Sequence, residues 1–93
     1  MNIIHSENEK KGRFFIEKDG EQRALMTYSK AGSEKIIIDH TEVDESLQGQ
    51  GVGYRLVEAV VTHAREEQLK IMPLCPFAKA VFDKRSEYSD VLL

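Results

Sequence analysis

Three glycines spaced two residues apart stand immediately before the most regular apolar pattern in the chain. They are Gly49, Gly51 and Gly53, within LQGQGVG, and the run VGYRLVEAVVTHA follows without a break. Apolar residues in that run recur every three or four positions, which predicts an amphipathic helix over residues 51–68. Glycine weakens a helix, so this start indicates a backbone that needs a conformation or an open space that side chains would prevent.

The segment before these glycines, KIIIDHTEV (residues 35–43), is the most strand-like in the sequence. Its three consecutive isoleucines predict a central strand that is covered on both faces. Regular alternation would place Ile36, Ile38, His40 and Glu42 on one face, with His40 and Glu42 near the carboxyl end of the strand.

The first third of the chain predicts a β-hairpin over residues 12–32. Alternating apolar residues flank the Asp19-Gly20 dipeptide, which is a strong signal for a tight hairpin turn. A second turn is expected at AGSE, residues 31–34, before the isoleucine-rich strand begins.

The last quarter predicts a strand and a second helix. LKIMPLC, residues 69–75, has the character of a buried strand. Pro73 has no N–H to donate, so either this is an edge strand or its neighbour diverges there. The second helix is expected to begin at Pro76, and residues 86–93 to form a short strand or to pack loosely.

This order of elements predicts an α/β (α+β) fold in one domain, residues 1–93. The strand–helix–strand portion requires a right-handed crossover between parallel strands, whereas the earlier strands are antiparallel. The sheet is therefore expected to be mixed and mainly antiparallel, with helices packed on it.

Charge and cysteine content exclude several classes of protein. Thirteen basic and 16 acidic residues give a net charge of −3, with no basic stripe, so nucleic acid is not an expected partner. No apolar run is long enough to span a membrane. The only cysteine, Cys75, predicts no intramolecular disulfide and no zinc cluster built around it, and it suits a cytoplasmic protein. His5, near an N-terminus expected to be mobile, and His63, on the polar side of the helix, are given no role.

The glycine-rich helix start is a potential anion site because a helix N-terminus exposes unpaired N–H groups and a partial positive charge. The phosphate-loop pattern is absent, since Tyr54 and Arg55 follow Gly53 in place of Lys and a hydroxyl residue. The dinucleotide pattern fails because Tyr54 occupies its third glycine position. A turn that only caps the helix remains the alternative.

The pattern that fits is V-x-x-x-x-[QR]-x-x-G-x-[GA], with Val43, Gln48, Gly51 and Gly53 at the defined positions. It resembles the acetyl-coenzyme A pyrophosphate loop of the GNAT-type N-acetyltransferases. The segments DHTEV, GQG, HAR and LCPF resemble the very short, stand-alone members of that superfamily. The resemblance covers the chain from about residue 36 onward.

This resemblance implies a set of cofactor contacts and a minimal GNAT-like fold. The backbone of Glu42 and Val43 would bind the pantetheine arm, in a gap between the two parallel strands. Cys75 stands where the superfamily has a cofactor-contacting Asn, and Phe82 where it has a proton-donating Tyr. The residues expected to bind acetyl-CoA are Glu42, Val43, Gln48, Gly49, Gln50, Gly51, Val52, Gly53 and Cys75.

Three residues are candidates for catalysis. His40 and Glu42 could deprotonate an amine, since histidine titrates near neutral pH. The alternative for His40 is a buried, hydrogen-bonded sheet residue. Cys75 could accept the acetyl group if it faces that group and His40 reaches it; otherwise it is a small buried residue.

The expected function is therefore transfer of an acetyl group from acetyl-CoA to an amine, on a small molecule or on a protein. Acceptor-side elements of the superfamily are missing, which leaves an acyl-CoA-binding module without transferase activity as the alternative. A protein-interaction domain with a vestigial loop is a third class. No metal is expected, and the chain would be a monomer or a weak dimer.

Overall fold

A computed structural model describes residues 2–93, which form a five-stranded sheet and two α-helices. The strands lie side by side in chain order, antiparallel except for the last pair, which is parallel. The predicted mixed, mainly antiparallel sheet is confirmed. The strands are β1 (Ile4–Glu7), β2 (Lys11–Lys18), β3 (Glu21–Ala31), β4 (Lys35–Val43) and β5 (Lys70–Pro73).

The two helices are α1 (Val52–Glu67) and α2 (Pro76–Lys84). Gly51 and Gln68, the predicted ends of the first helix, are its caps, and both have left-handed backbones with φ of 72° and 57°. Pro76 occupies the first turn of α2, as expected of a residue without an N–H. Short 3₁₀ segments cover Glu45–Leu47 and Ser86–Val91.

Both helices pack on one face of the sheet, where a single apolar core forms. Apolar burial of this kind is the main favourable contribution to folding. The expectation that the isoleucine-rich strand is covered on both faces is wrong. Ile36 and Ile38 are buried under the helices, whereas Ile37 is half-buried on the other face, beside Met72, which is 38% exposed.

The first strand is not predicted by the sequence pattern. Residues 4–7 pair with β2 in antiparallel register, so His5 lies opposite Phe14 and Glu7 opposite Gly12. His5 is therefore held within a strand, with its ring stacked on Phe14 at a centroid distance of 4.1 Å. The assignment of this residue to a mobile terminus is wrong.

The C-terminal segment neither forms a strand nor packs loosely. Its 3₁₀ turns bury Tyr88 and Val91, and Arg65 of α1 donates two hydrogen bonds to Asp90, at 2.9 and 2.8 Å. Beyond these turns, Leu92 forms an isolated parallel bridge with Ile71 on the outer side of β5.

Gly12 makes room for the most deeply buried tyrosine. Tyr28 is completely buried opposite Gly12, and a Cβ on Gly12 would lie 2.2 Å from its ring. The tyrosine ring therefore crosses β2 where that strand has no side chain, and its hydroxyl reaches β1.

We expect Gly12→Ala to lower the free energy of unfolding by about 1–3 kcal/mol, the usual cost of overpacking a core. Urea denaturation would measure it. Gly53→Ala is the control, because its Cβ would meet Phe77, which is 37% exposed and free to rotate away. Its stability should change little, since alanine also favours the helix. A Gly12→Ala protein as stable as the wild type would contradict this packing argument.

Candidate functional site

The loop between β4 and α1 is anchored at both of its ends. Asp44 accepts a hydrogen bond from the Ser46 N–H at 3.0 Å and caps the first 3₁₀ segment. Hydrogen bonds from Ser46 lower the pKa of this carboxyl below its ordinary value, and nearby Arg23 adds to the effect. Leu47 and Val52 are buried in the core, so the exposed residues 48–51 are held between two fixed points.

The backbone of this loop presents a row of N–H groups. Among the residues that the structure describes, the N–H groups of residues 49–54 have no acceptor, and the first helical bond runs from Arg55 to Gly51 at 3.1 Å. Gly49 and Gly51 have φ of 80° and 72°, and a Cβ on either would meet nothing within 4 Å. These two glycines are therefore required by the left-handed backbone, which also leaves the N–H groups open to an anion.

The third glycine has a different structural reason. Gly53 lies in the first turn of α1, and a Cβ there would be 2.5 Å from the Phe77 ring. Phe77 in turn contacts Tyr54 edge to face, with ring centroids 5.8 Å apart. Gly53 thus leaves the space in which the Phe77 ring lies against the first turn of α1.

Two glutamine side chains stabilise the loop from within. The amide of Gln48 donates to the carbonyl of Val43 at 3.3 Å, and that of Gln50 donates to the carbonyl of Ser46 at 3.1 Å. Gln48 therefore connects the loop to the end of β4, which fixes where the N–H groups lie relative to that strand.

The two parallel strands separate immediately beside this loop. Their pairing runs from Lys35 with Lys70 to Ile38 with Pro73 and ends there, while β4 continues to Val43. The N–H groups of residues 74 and 75 both donate to the carbonyl of Ile38, at 3.1 Å each. Both interpretations of Pro73 are correct, because β5 is an edge strand and also diverges from β4 at this residue.

An extra residue in β4 turns the catalytic candidates to the face opposite the helices. Thr27 pairs with His40 and Tyr28 with Ile38, so Asp39 is a bulge. The bulge shifts the alternation by one residue, and His40 and Glu42 point away from the face of Ile36 and Ile38. The prediction that all four share one face is therefore wrong.

His40 and Glu42 nevertheless lie together, as predicted. The Nε2 atom of His40 is 3.3 Å from Oε1 of Glu42, and the two side chains are 59% and 64% exposed. His40 is thus a solvent-facing imidazole beside a carboxylate, and the alternative of a buried sheet histidine is wrong.

Cys75 lies on the other side of the sheet from this pair. It caps the N-terminus of α2, is 6% exposed, and its thiol donates a hydrogen bond to Thr41 Oγ1 at 3.2 Å. Thr41 follows the bulge and faces the helices, pairing with buried Met26. The condition that His40 reaches the sulfur is not met in this arrangement.

The position of Phe82 is closed to an incoming ligand. Its ring is 5% exposed and packs against Tyr88 with centroids 6.1 Å apart. Groove space lies instead where the start of β3 meets the end of β4. A groove of about 370 Å³ includes Leu25, Glu42 and Val43 among its lining residues.

Comparisons with known proteins agree with this architecture. A GNAT family acetyltransferase from Elizabethkingia anophelis, solved with acetyl-CoA bound, has the same fold at 20% identity, with a TM-score of 0.60 over 69% of this chain and 42% of that one. The solution structure of a GCN5-like protein from Staphylococcus aureus is 41% identical, with a TM-score of 0.74 over 99% of this chain and 89% of that one.

Curated sequences extend the comparison. Protein NATD1 of Xenopus tropicalis is 31% identical over 74 residues, which are 77% of this chain and 68% of that protein. No helix among residues 2–93 is long and apolar enough to cross a membrane. The profile of the GCN5-related N-acetyltransferases matches residues 13–91, and the chain belongs to that family.

Proposed function

We propose that this protein binds acetyl-CoA through residues 48–53 and the open edge of β4, and transfers the acetyl group to an amine. The observation that carries the proposal is the row of unpaired N–H groups directly beside the gap between β4 and β5. One feature suits a pyrophosphate and the other an extended acyl-pantetheine arm, and they are adjacent.

The pyrophosphate would lie against the N–H groups of Gly49, Gln50, Gly51, Val52 and Gly53. Successive N–H groups and the positive end of α1 both favour an anion at that point. The side chain of Val52 is buried, so this residue would contribute its backbone alone. Gln48 would act indirectly, through its hydrogen bond to the carbonyl of Val43.

The pantetheine arm would follow the part of β4 that has no partner on the β5 side. Its amide groups could pair with the backbone of Glu42 and Val43 as an added strand would. The thioester would then lie along β4 between Val43 and the bulge at Asp39, with Thr41 and Cys75 on the helix side of the gap and His40 on the other.

We propose direct transfer in which the amine attacks the thioester carbonyl and coenzyme A leaves as the thiolate. His40 would remove the proton from the amine, directly or through water, with Glu42 orienting the imidazole. A backbone N–H of β4 near Val43 would stabilise the oxyanion. The thiolate then takes up a proton, so the products are the amide and the free thiol of coenzyme A.

A route through Cys75 requires two exchanges. The thiol would first take the acetyl group from acetyl-CoA and release coenzyme A, and the amine would then take it from the sulfur. The sulfur is nearly buried and donates to Thr41 rather than to an imidazole. The structure therefore favours Cys75 as a wall of the site rather than as the nucleophile.

Gly51→Ala is expected to weaken acetyl-CoA binding by about tenfold, because alanine disfavours the left-handed backbone and so displaces the N–H groups. Isothermal titration would measure the dissociation constant. Gly32→Ala is a matched control, since Gly32 has φ of 74°, open space at its Cβ and a position far from the loop in sequence. It should suffer a similar loss of stability with unchanged affinity.

Equal affinities for the two variants would refute the assignment of the loop. Alanine is the substitution at both positions because a β-branched residue at positive φ would add strain unrelated to the ligand.

Transfer itself is tested by release of coenzyme A thiol with a panel of amines. We expect His40→Gln to lower kcat by about 100-fold with acetyl-CoA affinity retained, as for loss of a general base. Cys75→Ala should keep kcat within a few-fold. Mass spectrometry of the wild type with acetyl-CoA should find no acetyl group on Cys75.

Each of the other outcomes has a distinct meaning. An acetylated Cys75 together with an inactive Cys75→Ala variant would replace direct transfer with the two-step route. Tight binding with no thiol release for any amine would identify an acyl-CoA-binding module. The His40 side chain is exposed, with little structure enclosing it. This observation is the reason for testing the second function.

The cellular setting is part of the same proposal. A lone cysteine with no second cysteine in the sequence suits a reducing compartment, and we propose the cytoplasm, with the chain acting as a monomer or weak dimer. The acceptor would be a primary amine of a small molecule or of a protein.

A further inference from the structure

Three metal-ligating side chains meet between the first strand and the long helix, away from the loop and the gap. His5 and Glu7 are two residues apart on β1 and so project to the same side, where α1 brings His63 over them. One ligand atom from each of the three lies within 4.8 Å of the other two. The proposed acetyl transfer uses none of these residues.

The sheet fixes the positions of the two strand residues. The ring of His5 is stacked on Phe14, and the ring of His63 meets it edge on, with centroids 4.5 Å apart. The assignment of His63 to the polar side of the helix alone is therefore incomplete, because its ring packs on β1. Gly12 contributes indirectly, by allowing the Tyr28 hydroxyl to reach this side of β2.

Tyr28 and Lys30 orient the carboxylate. The Tyr28 hydroxyl donates to Glu7 Oε2 at 2.7 Å, and Lys30 Nζ lies 3.2 Å from Oε1. His5 Nε2 lies 2.6 Å from the same hydroxyl oxygen, so Tyr28 contacts both the carboxylate and this imidazole. Such hydrogen-bonded partners behind a ligand are common in metal sites.

The chain contains an internal comparison for this cluster. His40 and Glu42 repeat the His-x-Glu spacing on a strand, with 3.3 Å between imidazole and carboxylate. Both side chains are more exposed than those of His5 and Glu7, which are 30% and 35% exposed. The pair on β1 gains a third ligand, His63, from α1. This third ligand distinguishes a chelating site from the exposed pair of His40 and Glu42.

We propose that His5, Glu7 and His63 form a binding site for a divalent transition-metal ion, with zinc as the preferred ion and water in the fourth position. Two imidazoles and one carboxylate are a donor set that zinc accepts in tetrahedral geometry. Calcium and magnesium prefer all-oxygen ligand sets and should not compete.

The geometry requires only side-chain adjustment. Ligands of a tetrahedral zinc ion lie about 3.4 Å apart, given metal–ligand distances of about 2.0–2.1 Å. The ligand atoms lie within 4.8 Å of one another, and rotation of these partly exposed side chains would bring them to that distance without movement of the backbone.

The ion would join residues that are 58 positions apart in the sequence, one on β1 and one on α1. It would therefore hold the short first strand against the helix. An ion that binds only the folded state raises the stability of the protein. The unfolding temperature therefore measures zinc binding independently of acetyl transfer.

The test is isothermal titration of zinc chloride into the full, tag-free chain after removal of metal with a chelator. We expect one ion per chain with a dissociation constant of about micromolar order, and at least a tenfold loss for His63→Gln or Glu7→Gln. His40→Gln is the matched control and should bind zinc as the wild type does. Magnesium chloride should give no heat of binding.

Nuclear magnetic resonance of the imidazole nitrogens supplies a readout that a purely structural cluster would not change. Zinc should shift the nitrogens of His5 and His63 and leave those of His40 in place. It should also raise the unfolding temperature of the wild type but not of His63→Gln.

Three results would overturn the proposal. They are no binding by the wild type, zinc binding that survives His63→Gln, and nitrogen shifts confined to His40. If a variant fails to fold, the stoichiometry and the imidazole shifts of the wild type decide the question alone.

Discussion

The central strand changes both of its pairings at one level, and the rest of the molecule depends on this. At Ile38 the contact with β5 ends, and at the next residue the bulge shifts the register with β3. Before this point β4 is an ordinary interior strand whose alternate residues enter the core. Beyond it, one edge is free and the alternation is reversed. A strand paired regularly on both sides to its end would leave no gap for an extended ligand and would bury His40 under the helices.

Local sequence patterns predict the elements around the loop well. The helix caps at Gly51 and Gln68, the Asp19-Gly20 turn and the parallel crossover all follow from rules that act over a few residues. Asp19 and Gly20 have φ of 55° and 77°, as a tight hairpin turn requires. The pattern through Val43, Gln48 and the glycines also indicates the family. What the pattern does not reveal is that two glycines serve the backbone conformation while Gly53 serves the packing of Phe77.

The features that the sequence does not predict depend on contacts between distant segments. A bulge is set by how two strands fit together, and nothing in IIIDHTEV distinguishes Asp39 from its neighbours. The first strand has the residues IHSE, all of them exposed, so it lacks the apolar alternation by which strands are found. Its position depends on pairing with β2 and on the histidine stack with Phe14. His5 and His63 could be connected only by this fold, because the spacing of 58 positions carries no periodic signal.

The bridge between Leu92 and Ile71 has a consequence for association between chains. The outer edge of a terminal strand is a row of free N–H and carbonyl groups on which another polypeptide can continue the sheet. Here Leu93 already donates to the carbonyl of Ile71, at 2.9 Å, so the last residues fill part of that row. The short first strand, with its charged and polar side chains, is a poor template at the opposite end. The sheet is thereby guarded against growth in both directions, although one of its faces carries no helix.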